Sequence, residues 1–320
     1  PRRRKYYLGE WFMIDSKVLA KKRKKKGIYK ETAKDKIFNV FNITFFTLFT
    51  LLCVFPFYYI FINTISDNEL VQRGLITFIP RGLHLNNYIV LKNLSDFGKS
   101  IWVTVSRAII GTALMVVVSA FAGYLATRQK MWGRSFWYRF IVITMYFNAG
   151  LIPWYLTMLN LGLTENYLGY ILPGIVQPFN IILAKTYIES IPKEIEESAI
   201  IEGAGTLKIF TKIIWPLSIP ILATIAVFGA VGHWNSFQDS LVLMAGRPEL
   251  YTLQHRLYVY LTKTSDLKTV MEGNIISKYS INERIVKYTI SMVSIIPIML
   301  VYPFMQRYFV KGIMLGAVKG

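Results

Sequence analysis

The stretch from Ile37 to Ile62 contains no Asp, Glu, Lys, Arg or His. A backbone that crosses hydrocarbon must satisfy its own hydrogen bonds, and a helix of roughly 20 mostly apolar residues does so. Five more stretches meet that length: about Ile101 to Ala126, with Arg107 as its only charge, then Phe136 to Met158, Tyr167 to Ile188, Pro216 to Trp234 and Tyr288 to Met305. Pro173 and Pro178 fall in the fourth stretch, and Pro297 and Pro303 are expected to kink the sixth. Prolines inside spans are tolerated where neighbouring helices take up the freed carbonyls, so the pattern predicts a packed all-α bundle of six transmembrane helices.

A net charge of +19 raises the question of nucleic acid, but the charges are concentrated outside the apolar runs and no nucleic-acid motif accompanies them. They suit a membrane surface instead, with lipid as the partner. Arg2, Arg3, Arg4 and Lys5, then Lys21 to Lys26, precede the first span and place the amino terminus in the cytoplasm. Six crossings return the carboxyl terminus to that side. Arg128, Lys130 and Arg134 join spans two and three, whereas the Asn160–Asn166 turn has neither Lys nor Arg. The moderately basic segment from Asn235 to Lys287 must face outward, and long loops obey the charge rule poorly. The apolar core begins too far from the basic start for a cleaved leader, so the first span is expected to be retained. The single cysteine, Cys53, allows no intrachain disulfide and reads as a small apolar helix residue.

This divides the chain into a basic cytoplasmic tail at 1–36, a membrane domain at 37–306 and a short cytoplasmic tail at 307–320. In the first tail, Trp11 to Ile14 followed by lysines suits a helix resting on anionic lipid, or a disordered tail whose charges set topology. Pro80-Arg81-Gly82 marks a turn in the outer loop from Asn63 to Lys99. The outer loop 235–287 is longer than a connection requires, and Tyr251, Leu253, Leu257, Tyr258 and Leu261 fall at helical spacing, so short helices that pack against another protein are expected.

The cytoplasmic loop 189–215 carries the most information. Pro192 is placed for a first helical position, with Glu194, Glu196 and Glu197 following where carboxylates complement free amides and the helix dipole. Gly203 suits the left-handed residue that ends such a helix. Thr206 is then a cap for a second piece whose Leu207, Phe210, Ile213 and Ile214 share a face. A short amphipathic helix-turn-helix at a membrane surface is a docking element.

In this loop Glu197-Ser198-Ala199-Ile200-Ile201-Glu202-Gly203 is followed, nine residues on, by Ile213-Ile214-Trp215-Pro216. It resembles the signature of ABC-importer permeases, Glu-Ala-Ala, two variable residues, Asp-Gly, nine more, then Ile, one residue and Leu-Pro. Ser198, Glu202 and Trp215 depart from that pattern, the first two keeping small size and negative charge. The carboxyl-terminal run Phe309 to Gly320 looks like the ending of the smaller permease of maltose-type carbohydrate importers. Gly232-His233-Trp234-Asn235-Ser236-Phe237, with Tyr251 to Gln254 downstream, is similar to the polysaccharide-permease branch.

The resemblance implies a type I ABC-importer permease fold in a bacterial inner membrane, with the loop as a coupling helix seated in a cytoplasmic ATPase subunit. It assigns Glu197 to an ion pair there, Ala199 to close packing and Gly203 to the turn, with Ser198, Glu202 and Ala204 beside them. Gly316, Lys319 and Gly320 fall in the tail that inserts near the ATPase dimer interface. The implied partners are a second homologous permease, two ATPase subunits, an extracytoplasmic solute-binding protein and an oligosaccharide cargo.

No phosphate-binding loop is present, so ATP and magnesium belong to the partner ATPase, this chain needs no cofactor of its own, and it is not expected to be an enzyme. His84, His233 and His255 lack metal-ligand spacing. A secondary, ion-coupled transporter is the alternative, but the six stretches hold neither Asp nor Glu for ion coupling. Polar groups within or beside the spans nominate Arg107, Asn148, Gln177, Asn180, Trp234 and Asn235 for the substrate path. Each has a plainer reading as a helix-to-helix hydrogen bond, and Arg107 a further one in which its head extends to the outer surface.

Overall fold

The computed structural model describes residues 32–93, 96–262 and 282–317, and every regular element among them is helical. The chain falls into two compact units, residues 1–58 and 59–320. Residues 1–31, with the Trp11 patch and the lysine cluster, lie outside the described residues.

In the first unit, helix α1 (Ala33–Thr64, which continues into the second unit) opens on a reciprocal cap. Thr32 donates its amide and hydroxyl to the Asp35 carboxylate at 2.9 and 2.7 Å, and Asp35 returns its amide to the Thr32 hydroxyl at 3.3 Å. Phe41, Phe45 and Phe49 then stack one turn apart, at 6.2 and 6.4 Å between ring centroids.

In the second unit two short helices, α2 (Asn68–Gln72) and α3 (Asn86–Asn93), flank the predicted Pro80 turn, where Gly82 has φ +67°. Helix α4 (Phe97–Thr127) is the axis of this unit. It packs along α7 (Leu168–Ile175), α8 (Pro178–Ile188) and α11 (Ile219–Asn235). Its buried positions recur every three or four residues and are mostly small or hydroxylated. Gly111 lies under the His233 ring, where an added Cβ would be 2.5 Å from Nε2, and at Gly123 it would be 2.9 Å from both the Ala184 methyl and the Lys185 amide. Small residues let these backbones approach, which is how helices associate in a solvent that offers no hydrophobic drive.

Among the described residues three helices are long and apolar enough to cross a membrane: α1, α4 and α14 (Glu283–Ala317, taken to Pro303). Two bent pairs qualify as well, α7 with α8 at 44°, and the arm α10 (Thr206–Leu217) with α11 at 81°. The predicted third span falls short, because it is split into α5 (Arg134–Tyr146) and α6 (Leu151–Asn160). The break has a local cause: Asn148 accepts the Gly150 amide at 2.8 Å in an Asx turn, and Gly150 takes φ +88°. The fourth span is interrupted at Val176 and Gln177, which are extended ahead of Pro178, whereas Pro173 is accommodated inside α7. Helix α14 continues through both Pro297 and Pro303.

The segment after α11 forms α12 (Gln238–Leu243), a 3-10 turn (Pro248–Leu250) and α13 (Leu253–Thr262), and residues 263–281 lie outside the described residues. The face of α13 that enters the core is Leu253, Leu257 and Tyr260. This corrects the expected face, since Tyr258 stacks on Phe237 at 4.9 Å and Leu261 stays exposed.

Candidate functional site

The signature loop folds as the expected helix, turn and helix, with three adjustments. Helix α9 (Lys193–Ile201) starts one residue later than predicted, because Pro192 is the cap, at ψ 129°, and Lys193 is the first helical residue. Gly203 takes φ +78°, a conformation that costs a side chain roughly 1–2 kcal/mol. The second cap is Gly205, and Thr206 is the first residue of the arm α10. Within that arm Phe210–Ile214 form a π-helical turn, which inserts a residue and shifts the register. Ile209, Phe210 and Ile214 are buried, while Leu207, which precedes that turn and was expected to share the face, is 65% exposed.

The tip of the loop is apolar and uncovered. Ile201 is 87% exposed beside the Gly203 turn, with Leu207 across it. Glu197, Ser198, Glu202 and Gly203 are exposed too, Ala204 is half-buried, and Ala199 is buried in the core beneath. Sequence reasoning missed Ile201 and Leu207 as surface groups, although two bulky aliphatics flanking a glycine turn were there to be read. It also treated Glu194, Glu196 and Glu197 as one charged run. The structure separates them: Glu196 turns inward and pairs with Arg128, and Glu197 stays in solvent. A cleft of about 490 Å³ runs between this helix and the 127–134 connection, lined by Arg128, Lys130, Arg134, Glu189, Lys193 and Glu197.

A second cavity, of about 460 Å³, lies among α4, α7, α8 and α11. It gathers three of the six nominated polar residues, Arg107, Gln177 and Asn180, with Trp154, Tyr170, Phe179, Phe228 and His233 as aromatic walls. Arg107 is wholly buried. Its Nε donates to the His233 carbonyl at 2.9 Å, one terminal nitrogen donates to the Ser236 carbonyl at 3.3 Å, and the other pairs with Asp239 at 3.2 Å. The guanidinium also lies 4.8 Å from the centre of the Tyr170 ring. The reading in which its head extends to the outer surface is thereby corrected, because the head is enclosed and its donors are taken up by neighbouring groups.

Asn180 is buried, with its amide directed at the Met115 sulfur at 3.3 Å, whereas Gln177 is exposed in the α7–α8 break. The other three candidates do not line this cavity. Asn148 forms the α5–α6 turn, Trp234 donates its indole N–H to the Ser294 carbonyl at 2.9 Å, and Asn235 accepts from Gln254 at 3.4 Å. Gly316 is in α14, and Lys319 and Gly320 lie outside the described residues. No cluster of three His, Cys, Asp or Glu with metal-holding geometry occurs among the described residues.

The family model for the inner membrane component of binding-protein-dependent transport systems matches residues 115–315. The polygalacturonan/rhamnogalacturonan transport system permease protein YtcP of Bacillus subtilis is 33% identical over 90% of this chain and all of its own length. The arabinooligosaccharides transport system permease AraQ of Halalkalibacterium halodurans is 28% identical over 84% of this chain and 92% of its own. A crystal structure of a bacterial ABC transporter involved in the import of the acidic polysaccharide alginate superimposes with a TM-score of 0.80 at 30% identity. It covers 87% of this chain and 98% of the matched one. The fold is that of a type I ABC-importer permease, and the chain belongs to the family of binding-protein-dependent transport system inner membrane components.

Proposed function

We propose that this permease admits an oligosaccharide or polysaccharide fragment, handed over by a solute-binding protein, and is driven through the loop around Glu197–Gly203 by partner ATPases. The observation that carries the coupling half is the loop itself. It has a left-handed glycine turn, exposed carboxylates at Glu197 and Glu202 and bare aliphatics at Ile201 and Leu207, all on a helix-turn-helix whose other side is anchored in the core. A protruding stub with apolar tips and acidic groups beside them fits a surface cleft on another protein. Ala199 permits close packing behind it, and Ser198, Glu202 and Ala204 complete its rim.

In this reading the loop and both termini are cytoplasmic, ATP and magnesium reside in the ATPase dimer, and Gly316, Lys319 and Gly320 approach that dimer. A second, homologous permease completes the channel. Closure of the ATPase dimer on nucleotide moves the docked stubs as rigid bodies and shifts the membrane helices towards an outward-open arrangement. Support for a saccharide comes from the relatives named for pectic and arabinan fragments and from the alginate importer. The aromatic walls and amides of the 460 Å³ cavity suit a hydroxylated cargo, with Gln177 and Asn180 as its contacts. Arg107 serves structure there, since its donors are engaged, and Asn148, Trp234 and Asn235 shape the mouth and the helix packing.

Gly203→Asp tests the coupling. The assembled complex should keep hydrolysing ATP while uptake is lost, and normal uptake would refute the assignment. ATPase stimulation across neutral and uronic oligosaccharides, each loaded on the binding protein, identifies the cargo. A response to none of them would remove the saccharide reading.

A further inference from the structure

The end of α4 nearest the docking loop holds a junction that the signature pattern does not assign. Phe121, Tyr124 and Arg128 follow one another at i, i+3 and i+7, along one face of the helix and its cap. Tyr124 is fully buried. Its hydroxyl donates to Glu196 Oε1 at 3.3 Å, its ring stacks on Phe210 at 5.5 Å, and the Arg128 guanidinium lies 5.6 Å from its centre. Arg128 pairs directly with the same Glu196 oxygen. Phe210 is held in turn by the edges of Phe121 at 5.1 Å and Trp215 at 5.9 Å.

Glu196 belongs to α9 and Phe210 to the arm α10, so the two contacts lie on opposite sides of the Gly203 turn. Were only one side held, a push on the stub would be absorbed by rotation about Gly203 and Gly205, the residues with the freest backbone in the loop. With both sides fastened to the same end of α4, the stub and the helix must move together. The two grips differ in kind: Phe210 is a packed aromatic contact, and Glu196 is a charge-assisted one that depends on its partners' identity.

We infer that Tyr124, Arg128 and Glu196 form a clamp that transmits displacement of the docking loop to α4, acting as positioning residues for transport. This rests on the reading of the loop as the ATPase contact. Because α4 also packs along α7, α8 and α11, a motion delivered at Arg128 reaches the helices that line the 460 Å³ cavity.

The test uses the full complex in proteoliposomes, scored as cargo moved per ATP hydrolysed, with subunit co-purification measured alongside. Glu196→Gln and Arg128→Gln should each assemble normally and lower that ratio about ten-fold, within the 5–150-fold typical of coupled sites. Tyr124→Phe, which removes only the hydroxyl, should lower it less. The charge-swapped pair Arg128→Glu with Glu196→Arg should recover most of the loss that either swap causes alone. An unchanged ratio in both Gln variants overturns the clamp, and so does a loss of assembly that the swap does not rescue. Gly203→Asp in the same series separates the two ideas. If it transports normally the docking reading falls, whereas if it uncouples and the Gln variants do not, only the clamp falls.

Discussion

Helix α4 carries one arginine in its first half and another at its carboxyl-terminal cap, and each one is paired with a carboxylate and covered by a tyrosine ring, yet the two sites are built for different duties. Arg107 is itself wholly buried and has two backbone carbonyls and the Tyr170 ring besides Asp239, whose side chain keeps 20% exposure. Arg128 shares Glu196 with Tyr124, and both of the charged side chains retain some exposure, 17% and 24%. A buried arginine is a fixed point, because taking its acid away would strand the cation away from water. A pair in which both partners keep contact with solvent can be strained and reset at modest cost. One helix is thus pinned at Arg107 and steerable at its carboxyl-terminal cap.

The sharpest way to break this contrast is to remove the acid beside the buried arginine. Asp239→Ala should cost about 3–5 kcal/mol, the penalty for leaving the Arg107 charge buried and uncompensated, seen as a large fall in thermal midpoint in detergent. A loss no greater than that from Glu196→Ala would erase the distinction between the two sites. Next comes the close approach beneath His233: Gly111→Ala should destabilise by about 1–3 kcal/mol through overpacking, by the same measurement. Trp234→Phe deletes the hydrogen bond to Ser294, worth about 0.6–1.7 kcal/mol, together with part of the indole packed against the core, and should cost at least that much.

The smallest effect is expected just before α4, at Asp96. A hydrogen bond from Lys99 holds its carboxyl below the ordinary value of 3.8. Its contribution is therefore complete above that value and is lost as pH falls through the lowered one. Amide exchange at the start of α4 should quicken only in strong acid, and quickening near neutrality would contradict the pairing.

Apolar length and proline placement were enough to read the class of fold and most of the helices from sequence, and the glycine turn at 203 followed from its chemistry alone. The third span was read as one helix, and the structure breaks it over 147–150, where the turn signal of Asn148-Ala149-Gly150 was legible. In the arm after Gly205 the buried face was assigned from Leu207 rather than Ile209, two positions on opposite sides of a helix, and the π turn over Phe210–Ile214 is a change of period that no 3.6-residue template anticipates. Among the site residues, Gly203 was accessible through local rules and Ala199 through the resemblance to the signature pattern. The separation of Glu196 from Glu197 was not, because it depends on Arg128 arriving from a helix 68 positions earlier in the chain.

The enclosure of Arg107 also bears on biosynthesis. Asp239 lies 132 residues downstream, which at 5–20 residues per second means about 7–26 s of translation before the acid exists. During that interval the bare cation stands in a membrane helix, at about 2.5–3.5 kcal/mol on the scale of translocon insertion. The apolar remainder of α4 has to outweigh it without help, so lowering the hydropathy of that helix should harm insertion before it harms the finished protein.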